Sequence, residues 1–185
     1  MNLSETQVDS KEAYTGSFLR LCVDQVQLPD GSTTQREYLQ HPGAVAILAQ
    51  LEDGRFLLER QFRYPLRQTF FEIPAGKVDP GESPLATAKR ELLEETGYTA
   101  QRWYQLLPAH PCIGYSNEKI EYFFAEGLRL EQQNLDEGEF LEVFALELTE
   151  IRALALAGKI TDSKTLVGLY WLNAFLDGEL TREPI

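Results

Sequence analysis

Apolar residues fall in short runs over most of the chain and at helical spacing only near position 90 and in the C-terminal third. Residues 1–12 are polar and acidic and read as a loose tail. From Ser17, FLRLCVDQVQLPDGSTTQREYLQ alternates around a Pro29-Asp30-Gly31 turn and predicts a hairpin of two strands. AVAILAQLEDGRFLLERQFRYP gives two more β-rich runs split by Glu52-Asp53-Gly54, a second hairpin candidate. TFFEIP predicts a short strand. WYQLLPAHP and KIEYFFAEGL predict strands around the loop HPCIGYSNE, and FLEVFAL predicts another after the acidic loop EQQNLDEGE. LTEIRALALAGKI and SKTLVGLYWLNAFLDGEL predict helices, with Gly158 and Gly178 as C-caps. The order of elements predicts an α+β sandwich, with an internal boundary near His41-Pro42-Gly43.

Between these strands, GKVDPGESPLATAKRELLEETGY supplies a helix with clear ends. Ser83 is a suitable N-cap, Pro84 suits the first helical position and Gly97 suits a left-handed C-cap, so the helix should run from Pro84 to Thr96. At 3.6 residues per turn, Leu85, Ala88 and Leu92 fall within about 60° and form a core stripe. Glu91, Glu94 and Glu95 lie within about a 100° arc beside it, and Glu95 is close enough to the stripe to be partly desolvated. Carboxylates at i, i+3 and i+4 repel one another. Arg90 reaches Glu94 at i+4, but one arginine does not neutralise the set. A hard divalent cation does, because Mg²⁺ takes carboxylate and water oxygens together with phosphates.

Charge sharpens this picture. The net charge is −12, 43% of residues are hydrophobic and 25% charged, and no basic stripe is present to neutralise a nucleic-acid backbone. No nucleic-acid partner is expected. The same charge repels a small anionic ligand unless a cation mediates. No apolar run approaches the ~20 residues of a membrane span, so no membrane partner is expected. The polar start of the chain lacks a signal-peptide pattern, and Cys22 and Cys112 suit reduced thiols, so a cytoplasmic location is expected. His41 and His110 each precede a proline and have no triad partners in view.

Gly76, Glu82, Arg90, Glu91, Leu92, Glu94, Glu95, Gly97 and Tyr98 stand at the spacing of the Nudix signature, and the chain resembles the Nudix hydrolases at every position of it. Tyr98 is an aromatic where the family more often has an aliphatic residue. The resemblance implies an α/β/α sandwich around a mixed sheet, here with an N-terminal β-hairpin extension. It also implies cleavage of a nucleoside diphosphate derivative with Mg²⁺ or Mn²⁺ as cofactor. On this reading the metal ligands are Glu91, Glu94, Glu95 and the Ala75 carbonyl, while Gly76, Glu82, Arg90 and Gly97 shape the motif. Residues 1–42 would form a tail and strands that make a homodimer, and residues 43–185 the Nudix domain.

Outside the signature, QREYLQHPGAVAILA, LLERQFRYP, FFEIPAGK and PCIGYSNE resemble ADP-ribose pyrophosphatases. That implies hydrolysis of ADP-ribose or a related ADP-sugar to AMP and a sugar phosphate. Arg36 and Arg63 then contact the ligand, since a guanidinium binds phosphate bidentately; the alternative is structural pairing with Glu37 and Glu72. Glu118 is a candidate for metal binding through water. Glu139, and after it Glu137, are the candidate bases, on a loop where Gly138 permits movement. Phe18 stacks on adenine across a dimer, or else packs in its own subunit. The loop Pro111-Cys112-Ile113-Gly114-Tyr115-Ser116-Asn117-Glu118 has its proline displaced from the usual Pro-Gly position, and Tyr115 points to dinucleoside polyphosphates as an alternative. NADH, another nucleotide sugar, and a non-catalytic ADP-ribose sensor are the remaining alternatives.

Overall fold

The computed structural model describes residues 1–135, 137–180 and 183–185. The chain divides into two compact units, residues 1–43 with 110–119 and residues 44–109 with 120–185.

The smaller unit is an antiparallel sheet of β1 (Thr6–Thr15), β2 (Arg20–Gln27) and β3 (Thr33–Gln40), in that order. The hairpin read around Pro29 to Gly31 is therefore present as β2–β3, but the expected loose tail is wrong: β1 pairs along the whole of β2. All ten residues of β1 are exposed, so no hydrophobic face marks it in the sequence, and it is held by backbone pairing with β2 together with the Ser10 hydroxyl. Cys22, Asp24 and Val26 alternate inward on β2, and the buried Asp24 accepts from Ser10 Oγ at 2.6 Å and Tyr38 Oη at 3.2 Å. The loop 110–119 joins this unit where Leu39 donates to the Tyr115 carbonyl at 2.8 Å and His41 N–H to Asn117 Oδ1 at 2.7 Å.

The larger unit holds a mixed four-stranded sheet in the order β7 (Ala75–Lys77), β4 (Ala44–Ala49), β9 (Ile120–Leu130), β8 (Tyr98–Gln105), with β4 and β9 parallel. A second, antiparallel sheet has the order β10 (Leu141–Leu146), β5 (Phe56–Arg63), β6 (Gln68–Glu72). β4 is apolar throughout because both its faces are covered. Val45, Ile47 and Ala49 pack with Ala88 and Leu92 of α1 (Pro84–Thr96), whereas Ala46 and Leu48 pack with the cluster containing Ile151 of α2 (Leu148–Leu156) and Leu169, Leu172 and Phe175 of α3 (Ser163–Leu176). The α+β sandwich around a mixed sheet is thus the fold of this unit.

Two further expectations are corrected. The turn at Glu52-Asp53-Gly54 forms, with Gly54 at φ 91° and Leu51 donating to the Arg55 carbonyl at 2.8 Å. The hairpin beyond it does not: apart from one bridge, Gln50 to Phe56, β4 and β5 part into different sheets, because β4 takes β7 and β9 as neighbours. The C-caps of α2 and α3 are Ala157 and Asp177, and Gly158 and Gly178 follow one residue later at positive φ.

Candidate active site

α1 begins and ends where its residues require. Ser83 Oγ accepts from Ala86 N–H at 3.3 Å, Pro84 needs no donor, and Gly97 takes φ 76°. The buried stripe is Ala88 and Leu92, with Thr87 and Glu95 beside it. β7 crosses this helix at Gly76, where a β-carbon would stand 1.9 Å from Glu91 Oε1, so any larger residue there would displace that carboxylate.

Arg90 is the hub of the outer half of the site. It meets Glu91 Oε1 at 2.9 Å, Glu94 Oε2 at 2.8 Å and Glu82 Oε2 at 3.1 Å. Glu82 also accepts from Thr87 Oγ1 at 2.8 Å, and its guanidinium partner, with Thr87, holds it below the usual carboxylate range. Glu82 and Arg90 therefore brace the loop against the helix. Deeper in, compensation runs out. Burial pushes Glu91 up to about 7, against the pull of Arg90. Glu95 is 4% exposed, and burial together with the charges of Glu59 and Glu91 raises it well above the usual range. The Ala75 N–H, donated to Glu95 Oε2 at 3.0 Å, opposes this rise without overcoming it.

A second buried carboxylate lies across the strands. Glu72 on β6 accepts Arg63 Nε and Nη2 at 2.7 Å each and also pairs with Lys164 at the start of α3. Burial alone would raise Glu72, but these two cations reverse the effect and hold it low. Glu59 stands opposite Glu72 in the β5–β6 register. It is 3% exposed, its Oε1 has no hydrogen-bond partner among the described residues, and burial pushes it up to about 8. Glu139 is half-buried, accepts from Gln61 Nε2 at 3.1 Å, and its charge acts on Glu59, Glu91 and Glu95.

The larger unit thus brings together Ala75, Gly76, Glu82, Arg90, Glu91, Glu94, Glu95 and Glu139. Glu137 is exposed with Gly138 at φ 84°, and their neighbour Asp136 lies outside the described residues. Arg63 is engaged with Glu72, the structural partner its alternative reading named. Phe18, Arg36 and Glu118 belong to the smaller unit. There Arg36 pairs with Glu5 at 2.6 Å rather than with Glu37, and Phe18 is 45% exposed, edge-on to the His41 ring, so it is not a core residue of that unit. Sequence reasoning missed Glu59 and Lys164. The one signal was a glutamate closing the apolar run Phe56-Leu57-Leu58, at a position where a strand buried on both faces carries apolar residues.

An all-oxygen donor set with buried, under-compensated carboxylates fits a hard divalent cation. Among the described residues no three acidic, histidine or cysteine side chains already converge as a cage. Arg90 holds Glu91 and Glu94 to itself.

Comparison with known proteins agrees with this geometry. The NUDIX domain model matches residues 40–166, and the model of a nucleoside diphosphate sugar hydrolase N-terminal domain matches residues 5–39. The ADP-ribose pyrophosphatase of Bacillus subtilis is 39% identical over 174 residues, covering 93% of this chain and 94% of that protein. The GDP-mannose pyrophosphatase of Yersinia pestis is 32% identical over 150 residues, 75% of each chain. A crystal structure of an ADP compounds hydrolase superimposes with a TM-score of 0.85 over 97% of this chain and 98% of that one; at 21% identity it speaks to the fold alone.

Proposed function

The chain belongs to the Nudix hydrolase family, and on that premise we propose that it cleaves the pyrophosphate bond of ADP-ribose or a closely related ADP-sugar. Water enters, and AMP and a sugar phosphate leave. The observation that carries this reading is the pair Glu91, half-buried beneath Gly76, and Glu95, buried against the Ala75 N–H, both raised by burial because the protein's own cations do not match them.

Glu91, Glu94, Glu95 and the Ala75 carbonyl would hold the Mg²⁺ or Mn²⁺. When bound, the cation neutralises charge on the diphosphate oxygens and lowers the pKa of a water molecule. Arg90, with Glu82 on its far side, keeps Glu91 and Glu94 on the outer face of the helix. Glu139, oriented by Gln61, accepts the proton of the attacking water, with Glu137 the second choice. Arg63 supplies a planar fork for phosphate oxygens. Arg36, Phe18 and Glu118, in residues 1–43 and 110–119, are the remaining candidates for substrate contact.

Residues 1–42 are read as the homodimerisation element, with Val8 at 60% and Tyr14 at 64% exposure on β1 as apolar surface for a second copy. ADP-ribose is preferred over GDP-sugars because the Bacillus relative covers nearly the whole chain. Dinucleoside polyphosphates and NADH are the competing substrates, and intact Glu91, Glu94 and Glu95 argue against a non-catalytic sensor. The test is incubation with Mg²⁺ and ADP-ribose, NADH, GDP-mannose or diadenosine polyphosphates, with AMP and phosphate esters quantified. ADP-ribose should turn over fastest; binding of ADP-ribose with no turnover on any compound would indicate the sensor.

A further inference from the structure

Glu72 has two cationic partners of different character. Arg63 is 45% exposed and grips the carboxylate from the open side through Oε1 and Oε2. Lys164 is 13% exposed and meets the same Oε2 from within. The lysine is itself fixed. Asp162, the N-cap of α3, accepts Lys164 Nζ at 3.0 Å, Thr165 N–H at 3.0 Å and Thr165 Oγ1 at 2.7 Å, while Thr165 Oγ1 accepts the N–H of Ile73, the residue after Glu72, at 3.0 Å. Helix start and strand end are thus tied at this point, and the ammonium cannot drift from the carboxylate. Glu59, across the ladder, carries no positive charge and supplies no compensation.

We propose that Lys164 is a positioning residue: by compensating Glu72 from the buried side, it frees Arg63 to leave that carboxylate and bind the phosphates of the substrate. The proposal rests on the reading of Arg63 as a phosphate contact. With Lys164 in place, departure of Arg63 leaves Glu72 still paired. Without it, departure strands a buried carboxylate, a strongly unfavourable state, and Arg63 stays locked on Glu72. Lys164 touches no substrate on this account and acts only through Arg63.

The test uses the full chain with Lys164→Met, Arg63→Ala, the double variant and Lys164→Arg, each checked by thermal denaturation. Phenylglyoxal labelling without metal or substrate, mapped by mass spectrometry, reads the freedom of Arg63 directly, with exposed Arg20 as internal control. Lys164→Met should slow Arg63 labelling about tenfold while Arg20 is unchanged, and Lys164→Arg should restore it. In turnover, Lys164→Met should raise KM for ADP-ribose about tenfold with little change in kcat, and should add nothing in the Arg63→Ala background. Lys164→Gln, which keeps a donor without charge, is read the same way should the methionine variant not fold. Unchanged or faster Arg63 labelling overturns the proposal, as does an equal rise in KM with or without Arg63. If the wild type hydrolyses none of the compounds, the proposed reaction fails while the labelling still decides the role of Lys164.

Discussion

Two groups of buried carboxylates lie in the larger unit, and they are treated in opposite ways. Glu72 receives an arginine fork and a lysine, and is held below the ordinary carboxylate range despite burial. Glu91 and Glu95 share one arginine and one backbone N–H, and burial raises both. The first group is complete as a clamp between β6 and α3. The second is incomplete as protein structure, and its deficit is of the size and hardness that a divalent cation supplies. What separates the helix carboxylates from Glu72 is therefore not burial but the lack of a matching cation.

Substitutions can break this contrast. Glu95→Gln should cut metal-dependent turnover by about a hundredfold or more, since it removes a charge the cation needs. The metal-free protein should melt no lower than the wild type, because burial already favours the neutral carboxyl that glutamine mimics. A large loss of melting temperature would place Glu95 with the clamp instead. Gly76→Ala should destabilise by about 2 kcal/mol through overpacking and displace Glu91, lowering cation affinity as well as stability in calorimetry. Glu72→Gln should show the reverse of Glu95→Gln: about 2 kcal/mol less stability in denaturant unfolding, with the half-exposure of Arg63 keeping the loss below that of a fully buried pair.

The pH dependence sharpens the same point with a smaller effect. Burial pushes Glu91 up to about 7 in the folded chain, above its ordinary carboxylate range, and raises Glu95 too, so over the interval between the unfolded and folded values the native state binds more protons than the unfolded one. Stability then falls as pH rises. The metal-free melting temperature should drop by a few degrees from pH 5 to pH 8, and Mg²⁺ should flatten the slope. A metal-free curve that rises over this range would contradict the assignment.

The sequence carried α1 to the residue, because Ser83, Pro84 and Gly97 fix a helix by local chemistry that no tertiary contact needs to override. It also carried the partial desolvation of Glu95 and the inadequacy of Arg90, since both follow from 100° per residue. It did not carry β1, whose ten residues are all exposed, nor the parting of β4 from β5, which the competition among sheet neighbours decides. Lys164 was invisible for a related reason. Position 164 meets Glu72 from 92 residues away, and only the folded chain reveals which acidic residue a distant lysine compensates.

The central claim is that the helix carboxylates lack a cation and take one. Manganese binding followed by electron paramagnetic resonance at pH 7.5, with proton release recorded in parallel, tests it most directly. The wild type should bind Mn²⁺ and release protons, Glu95→Gln should bind about tenfold or more weakly, and Glu72→Gln should keep its affinity. Equal Mn²⁺ binding by all three proteins, or none by the wild type even with nucleotide present, would contradict it.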